Sequence, residues 1–302
     1  MRTFAEQKPL YHEKYMCKKL TAVLLCTAFG CAPVAAQTDT TQMREVVVTG
    51  TRTQSDLRHL PYTVTRVERD VLTQGGRQNV LSTLSEVVPG LVVTRRAMMG
   101  YGVSTGAAGT IGVRGMGSSS GQLLMLIDGH PQYNSVYGHA LADSYRTLMA
   151  ERVEVLRGPA SLIYGSNAMG GVVNIVTRQQ KENGTRTHVN VGAGSYNTVQ
   201  AEGSVQVRKG KFSSTVGAQY GNSDNHRPDM EFEQYGGFVK LAYDFSSHWK
   251  VQGNVDVTHW DASNPGPETA CLADNDQNIT RMAATLNIDN TYDRTSGGLS
   301  AY

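Results

Sequence analysis

The chain has 302 residues, 39% hydrophobic and 18% charged, too apolar for a disordered polypeptide and too polar for a bundle of membrane-spanning helices. A net charge of +2, from 28 basic and 26 acidic side chains, gives no electrostatic footprint for nucleic acid. Glycine, at 32 residues without a Gly-X-Y repeat, excludes collagen and points to turns, bulges and close backbone approaches.

Residues 1–36 read as a secretory signal peptide. Lys14, Lys18 and Lys19 precede an apolar run from Leu20 to Ala36 that is interrupted by Pro33 and too short to span a bilayer. Val34-Ala35-Ala36 supplies a small-residue cleavage pattern, and Met16 is an alternative start. The competing reading is a lipid anchor on Cys31 after Ala28-Phe29-Gly30, where the usual Leu is missing. Cys17, Cys26 and Cys31 lie in this segment, so the mature chain keeps Cys271 and no disulfide framework is expected.

Within residues 37–52, Glu45-Val46-Val47-Val48-Thr49-Gly50 is an extended β-branched run closed by Gly. It is either a first core strand or, near a free terminus, a segment that pairs with another protein's sheet edge.

Residues 53–180 read as a small α+β domain. Thr63 to Val67 alternates as a strand, and Asn79 caps a helix with Val80, Leu81, Leu84, Val87 and Val88 on one face. Pro89-Gly90 stops that helix, and Leu91-Val92-Val93 begins a strand. Met98 to Gly109 reads as a long exposed loop. Strands follow at Ile111 to Gly115 and at Leu123 to Ile127, the second apolar enough to be buried on both faces and closed by an Asp128-Gly129 turn. Glu151 to Arg157 is a strand with alternating charge, Ala160 to Tyr164 a turn of helix, and Val172 to Thr177 a last strand.

Three catalytic look-alikes fall in this stretch. Gly117-Ser118-Ser119-Ser120-Gly121 matches the hydrolase pattern, but links two strands where that nucleophile needs a strand-to-helix elbow. Gly165 and Gly170 have phosphate-loop spacing, yet Gly171 and Val172 stand where Lys and Ser/Thr belong. His130 and His139 lack partners at metal-ligand spacing. No enzyme activity, cofactor or metal site is expected.

From residue 186 to 302 the pattern becomes a sustained period of two, in segments of about ten residues, the length a tilted strand needs to cross a bilayer. Arg208 to Lys211, Ser246 to His248 and Thr291 to Thr295 are short turns. Asn222 to Gln234 and Asp261 to Ile279 are long polar loops, and the short link at Ser195 to Asn197 breaks the rhythm once. Such alternation of turn lengths fits a transmembrane β-barrel with apolar residues toward lipid and polar ones toward a wet lumen. A soluble antiparallel sandwich, with shorter strands, is the alternative. Asp274 to Asn278 resembles half a calcium loop, but Ile279 replaces the Gly that the loop requires. The expected fold is an α+β plug domain followed by antiparallel transmembrane β-barrel strands, an incomplete barrel.

The order of signal peptide, EVVVTG, EVVPGLVV, IGVRGMG, LLMLIDGHP, ERVEVLRGPASLIYGSNAMGGVVNIVTR and alternating strands closely resembles a TonB-dependent outer-membrane receptor, from about Glu45 to the last residue. The resemblance implies that Glu45, Val46, Val47, Val48 and Thr49 form the TonB box and that the α+β domain is the plug of a 22-stranded barrel. It also implies import of a scarce ligand, driven by TonB and its inner-membrane proton-driven motor. A ferric siderophore or related iron chelate or haem is the expected cargo. Cobalamin import, or a truncated plug protein that only binds ligand or TonB, is the alternative. The implied location is the Gram-negative outer membrane, in contact with lipid, with the plug toward the periplasm.

Arg114, Glu151, Arg152, Glu154 and Arg157 would be enclosed by barrel walls and are expected to pair within the plug and with barrel carboxylates. Such pairs suit a gate that rearranges without exposing apolar core; static structural pairs are the alternative. Met98, Met99 and Tyr101 in one apical plug loop, and Tyr133, Tyr137 and His139 in another, are the expected ligand contacts. A seventh strand starts near Ser296, and closing the barrel would take on the order of 250 to 400 further residues, so a fragment of a longer product is expected. From the short gap between signal peptide and TonB box, no extra N-terminal domain is expected.

Overall fold

A computed structural model describes residues 46–47, 55–56, 63–102, 109–117, 123–132, 140–266, 268–271, 276–292 and 294–302. Two short strands, β1 (Val46–Val47) and β2 (Ser55–Asp56), pair antiparallel as Val46 with Asp56 and Val47 with Ser55.

The α+β part is built on a five-stranded mixed sheet. Its strands are β3 (Val64–Glu68), β7 (Leu123–Ile127), β8 (His130–Pro131), β9 (Ala150–Arg157) and β10 (Gly171–Thr177), in the order β3-β9-β10-β7-β8. β10 runs parallel to β7 and antiparallel to β9. A three-stranded sheet of β4 (Leu91–Val93), β5 (Ile111–Val113) and β6 (Met116–Gly117) stands beside it. Among the described residues the α-helices are α1 (Arg69–Leu72), α2 (Val80–Val87) and α3 (Ser161–Tyr164).

Every residue of β7 is buried because the sheet is covered on both faces. Leu123, Met125 and Ile127 join Val153, Val155, Val173 and Ile175 in a cluster with Leu72 and the α2 residues Val80, Leu81 and Leu84. Leu124 and Leu126 join Leu156, Val172 and the α3 residue Tyr164 on the opposite face. The Asn79 side chain accepts the Leu81 N–H at 2.9 Å, so α2 starts where its cap residue dictates. Truncating Leu84 to Ala, at the centre of this packing, would cost about 2–5 kcal/mol.

Past residue 183 the chain forms a seven-stranded antiparallel meander: β11 (Gly184–Gly194), β12 (Thr198–Lys209), β13 (Phe212–Ser223), β14 (Phe232–Asp244), β15 (Trp249–Ser263), β16 (Asp276–Thr291) and β17 (Ser296–Ala301). β11 and β17 are its edges. The burial alternation inverts that of a soluble sheet: Gln206, Thr215, Lys240, Asn254 and Asp256 are buried, while Val205, Val216, Val239, Val255 and Leu286 are exposed. The polar face is covered by the α+β part, and the apolar face is bare.

The strands outrun the ten residues expected of them, reaching 15 in β15 and 16 in β16. Asn222, Ser223, Glu233 and Gln234, expected in a loop, belong to β13 and β14, and residues 224–231 alone connect them. Similarly, β15 runs on to Ser263 and β16 begins at Asp276, which puts Asp276 to Asn278 in a strand and not in a calcium-type loop. Residues 274 and 275 lie outside the described set. The ladder continues past the apolar belt because polar cross-strand pairs hold it: Asp261 faces Asn278, whose Nδ2 donates to its carboxylate at 2.5 Å. Short turns at 210–211, 245–248 and 292–295 gather at one end of the sheet. The link 195–197 at the long-loop end is a tight hairpin, with Tyr196 at φ 57° and Asn197 at φ 52°, the geometry of a type I′ turn.

Candidate functional site: the face between the α+β part and the sheet

The covered face carries the chemistry, in layers that rise from the short-turn end to the long-loop end. Lowest, Arg178 follows β10 and grips β12 at two points, its Nη1 on Ser204 Oγ at 2.5 Å and its Nη2 on Gln206 Oε1 at 3.0 Å. Burial, helped by the neighbouring Arg69 charge, pushes this guanidinium down to about 10.

The next layer is centred on Asp128, at φ 49° in the tight turn after β7. Its carboxylate accepts from Thr177 N at 2.8 Å, Thr177 Oγ1 at 2.5 Å and Lys240 Nζ at 3.0 Å. Lys240 also donates to Thr177 Oγ1 at 2.6 Å. Burial alone would raise the Asp128 carboxyl, but the Lys240 charge and the Thr177 bonds outweigh it and hold the group below its ordinary value.

Above it lies an ion pair between Arg146 and Asp256 of β15, with side chains 0% and 2% exposed. The same guanidinium donates to Val257 O at 3.1 Å and Gly237 O at 3.3 Å. Arg281 of β16 approaches the Asp256 carboxylate at 3.7 Å, bonds Gln132 and lies over the Tyr145 ring at 5.9 Å. Charges this deep are tolerable only when paired, so the layer fixes how the two parts mate.

At the long-loop end, Asp143 sits in a one-turn 3-10 helix, Ala142–Ser144. Its carboxylate accepts the Tyr101 N–H at 3.1 Å and the Gly102 N–H at 3.3 Å. Burial pushes it up to about 6, although those N–H bonds and the Arg96 charge pull the other way. Gln234 of β14 donates to the Asp143 carbonyl at 2.7 Å. Leu141, Phe232 and Trp260 form a small apolar cluster beside Met99 and Ile279.

Of the residues singled out from sequence, Arg152 and Glu154 pair with each other at 2.9 Å. Glu151 is half-buried and sits within electrostatic reach of Arg69 and Arg178. Arg157 donates to Pro89 O at 3.3 Å. Arg114 is exposed at φ 51° in the turn between β5 and β6, and not enclosed. The expectation that these five reach sheet carboxylates needs correcting, because among the described residues the ion pairs across the interface are Arg146 with Asp256 and Lys240 with Asp128.

Met98 is 74% exposed and Met99 half-buried at the long-loop end. Tyr101 needs correcting as a ligand contact. It is 4% exposed within the main core, its hydroxyl hydrogen-bonded to Ser82 at 2.6 Å. Tyr133, Tyr137 and His139 lie outside the described residues, as do Glu45, Val48 and Thr49; Val46 and Val47 form β1.

The interface residues that sequence reasoning passed over had partial signals. Lys240 and Asp256 fall in the polar phase of their strands, which marks them as facing inward. Arg146 stands in no periodic segment and carries no such mark.

Comparison with known proteins agrees with this architecture. Residues 56–172 match the TonB-dependent Receptor Plug Domain. The chain is 30% identical over 181 residues to the vitamin B12 transporter BtuB of Vibrio vulnificus, covering 57% of this chain and 28% of that protein. It is 32% identical over 170 residues to an iron-regulated outer membrane virulence protein of Vibrio cholerae, covering 54% and 24%. The chain therefore spans about a quarter of the length of these relatives.

Among solved structures, Pseudomonas aeruginosa FpvA bound to a pyoverdine–iron complex superposes with a TM-score of 0.69 at 17% identity, over 84% of this chain and 35% of that one. The alcaligin receptor FauA of Bordetella pertussis gives 0.64 at 19% identity, over 82% and 39%. Residues 56–172 are thus a TonB-dependent receptor plug domain, and the sheet wrapped over it has the fold of the barrel strands in those receptors.

Proposed function

We propose that this chain supplies the plug and part of the wall of a TonB-dependent importer that takes an iron chelate, such as a ferric siderophore, across the outer membrane. The observation that carries the reading is the inverted sheet, apolar on its bare face and polar against the plug. That pattern suits lipid outside and a hydrated lumen inside. Residues 1–36 serve export, 37–52 present the TonB box, 53–180 form the plug and 186–302 the wall. Glu45 to Thr49 are captured by strand addition, and a pull on them reorganises a plug held by hydrogen bonds and ion pairs. Met98, Met99, Tyr133, Tyr137 and His139 contact the ligand.

Iron is favoured because the iron-regulated relative and the FpvA structure carry it in their names. Cobalamin is the second reading, supported by the 30% identity to BtuB. A deletion strain complemented with the native gene, with and without TonB, separates them by uptake of labelled ferric siderophores and of labelled cyanocobalamin. TonB-dependent accumulation of iron supports the proposal, and of cobalamin alone the second reading. No accumulation of either, with a soluble periplasmic product near the mass of this chain, rejects both.

A further inference from the structure

The turn from Leu141 to Tyr145 is tied on several sides at once. Its Asp143 carboxylate holds the N–H groups of Tyr101 and Gly102, its Asp143 carbonyl accepts from Gln234 of the wall, and its Ala142 carbonyl accepts from the α2 cap Asn79 at 2.8 Å. The next residue after the turn is Arg146, which holds Asp256 of the wall.

The segment bound by Asp143 is gripped from outside as well. Asn225, in the 224–231 loop, accepts the Met99 N–H at 3.0 Å and donates to Met99 O at 3.1 Å and Met230 O at 2.7 Å. A continuous hydrogen-bonded path thus runs from a long loop through Met99–Gly102 and Asp143 to the Arg146–Asp256 pair.

We propose that Asp143 is the positioning residue that couples the Met99–Gly102 segment to the Arg146–Asp256 ion pair, so that a ligand displacing that segment loosens the plug from the wall. The physical reason is the depth of the site. A buried carboxyl stripped of its N–H donors is left with unsatisfied oxygens, and moving with those donors avoids that cost. Lifting Met99–Gly102 therefore draws the 142–144 turn with it. Arg146 follows that turn directly and lies against Gly236, its guanidinium held by Asp256, Val257 O and Gly237 O, so a shift of the turn pulls on the ion pair. The idea rests on the long-loop end facing the ligand, but the coupling itself is measurable without one.

The test is hydrogen exchange on the full-length protein in detergent, read at Tyr101, Gly102, Ser144 and Thr147, whose amides are all bonded here. Unchanged protection of the β12–β16 ladder shows that each variant is folded. Asn225→Ala frees Met99 and is expected to speed exchange at Ser144 and Thr147 by about tenfold, within the range of ordinary site-to-site coupling. In an Asp143→Ala background, which removes both acceptor oxygens, the same change is expected to have less than about a twofold effect. No acceleration with Asp143 intact, or equal acceleration in both backgrounds, overturns the proposal.

Should Asp143→Ala fail to assemble, reciprocity supplies the second reading. Asp256→Asn is then expected to speed exchange at Tyr101 and Gly102, and an unchanged rate there overturns the coupling. Neither failure touches the import reading, which uptake assays decide.

Discussion

Arg146 of the plug lies so close to Gly236 of β14 that a Cβ at position 236 would overlap its Nη1 and the carbonyl of Val257. The glycine leaves a flat patch of wall on which a buried guanidinium can lie and still reach Asp256. Gly236→Ala should displace Arg146, strand a buried charge and destabilise the plug–wall contact by about 3–5 kcal/mol. Gly237→Ala is the control, since its Cβ would meet only the Gly217 carbonyl at 3.5 Å. Thermal unfolding of the two variants in detergent, followed by loss of heat-modifiable migration, should separate them clearly. Equal midpoints would show that Arg146 finds another seat.

The Lys240–Asp128 pair makes a sharper prediction about sign. Lys240→Met leaves Asp128 buried with Thr177 as partner but no counter-charge, and should cost about 3–5 kcal/mol. Adding Asp128→Asn should recover most of that loss, because an unpaired charge no longer has to be buried. A double-mutant cycle on denaturation midpoints measures the recovery, and strict additivity would mean that the two residues do not interact.

Asp143 and Asp128 titrate in opposite senses. The Asp143 carboxyl is raised to about 6, so the folded state takes up a proton before the unfolded chain does. Its contribution to stability is therefore full below the unfolded carboxylate range and lost as pH rises through about 6, worth about 3 kcal/mol over that interval. The Asp128 carboxyl is lowered, so its contribution is present above the unfolded range and lost as pH falls through the folded value. Plug stability should rise as pH drops from 7 toward about 5 and fall again below about 4. Melting curves across this range should show the maximum, and Asp143→Asn should erase the rise on its neutral side while leaving the acid fall.

Much of this architecture is written locally in the sequence. Asn79 ahead of a spaced apolar set marks α2, and the unbroken Leu-Leu-Met-Leu-Ile of β7 marks a strand covered on both faces. The phase of alternation from Thr187 onward marks an inside-out sheet. The contacts that join plug to wall are a different matter. Arg146 and Asp256 are 110 residues apart, and nothing near either names the other. The strand extensions beyond the belt were hidden for a related reason: once both faces of a strand are polar, period-two hydropathy vanishes while the ladder of paired backbone groups goes on. Tyr101 misled because it follows a glycine in a polar, small-residue run, yet Asp143 draws its backbone inward and buries its ring.

Tyr101 can be assigned to core or ligand surface by two substitutions. Tyr101→Phe removes only the hydroxyl bond to Ser82 and should cost about 1 kcal/mol. Tyr101→Ala empties a core position and should cost about 3–5 kcal/mol. Ligand affinity of Tyr101→Phe should stay at the native level, whereas Met98→Ala, on the exposed side of the same segment, should weaken it. A drop in affinity for Tyr101→Phe at unchanged stability would return the phenol to the ligand surface.

The bare face of the sheet gives the last prediction. Val239 and Val255 are cross-strand partners on β14 and β15, both exposed, midway along strands whose ends carry ring pairs, Trp249 with Tyr292 at the short-turn end and Tyr235 with His259 at the long-loop end. Rings at the ends and aliphatics between them define a belt, and the valines sit near its centre. Val239→Arg should cost about 2–4 kcal/mol if the face meets lipid, and Tyr243→Arg, nearer the turn end, only about 0–1 kcal/mol. If this face stood in water, both residues would be solvent-facing and neither change would matter. The yield of heat-modifiable protein in the outer-membrane fraction reads the difference, and equal yields for Val239→Arg and the native chain would remove the membrane from this face.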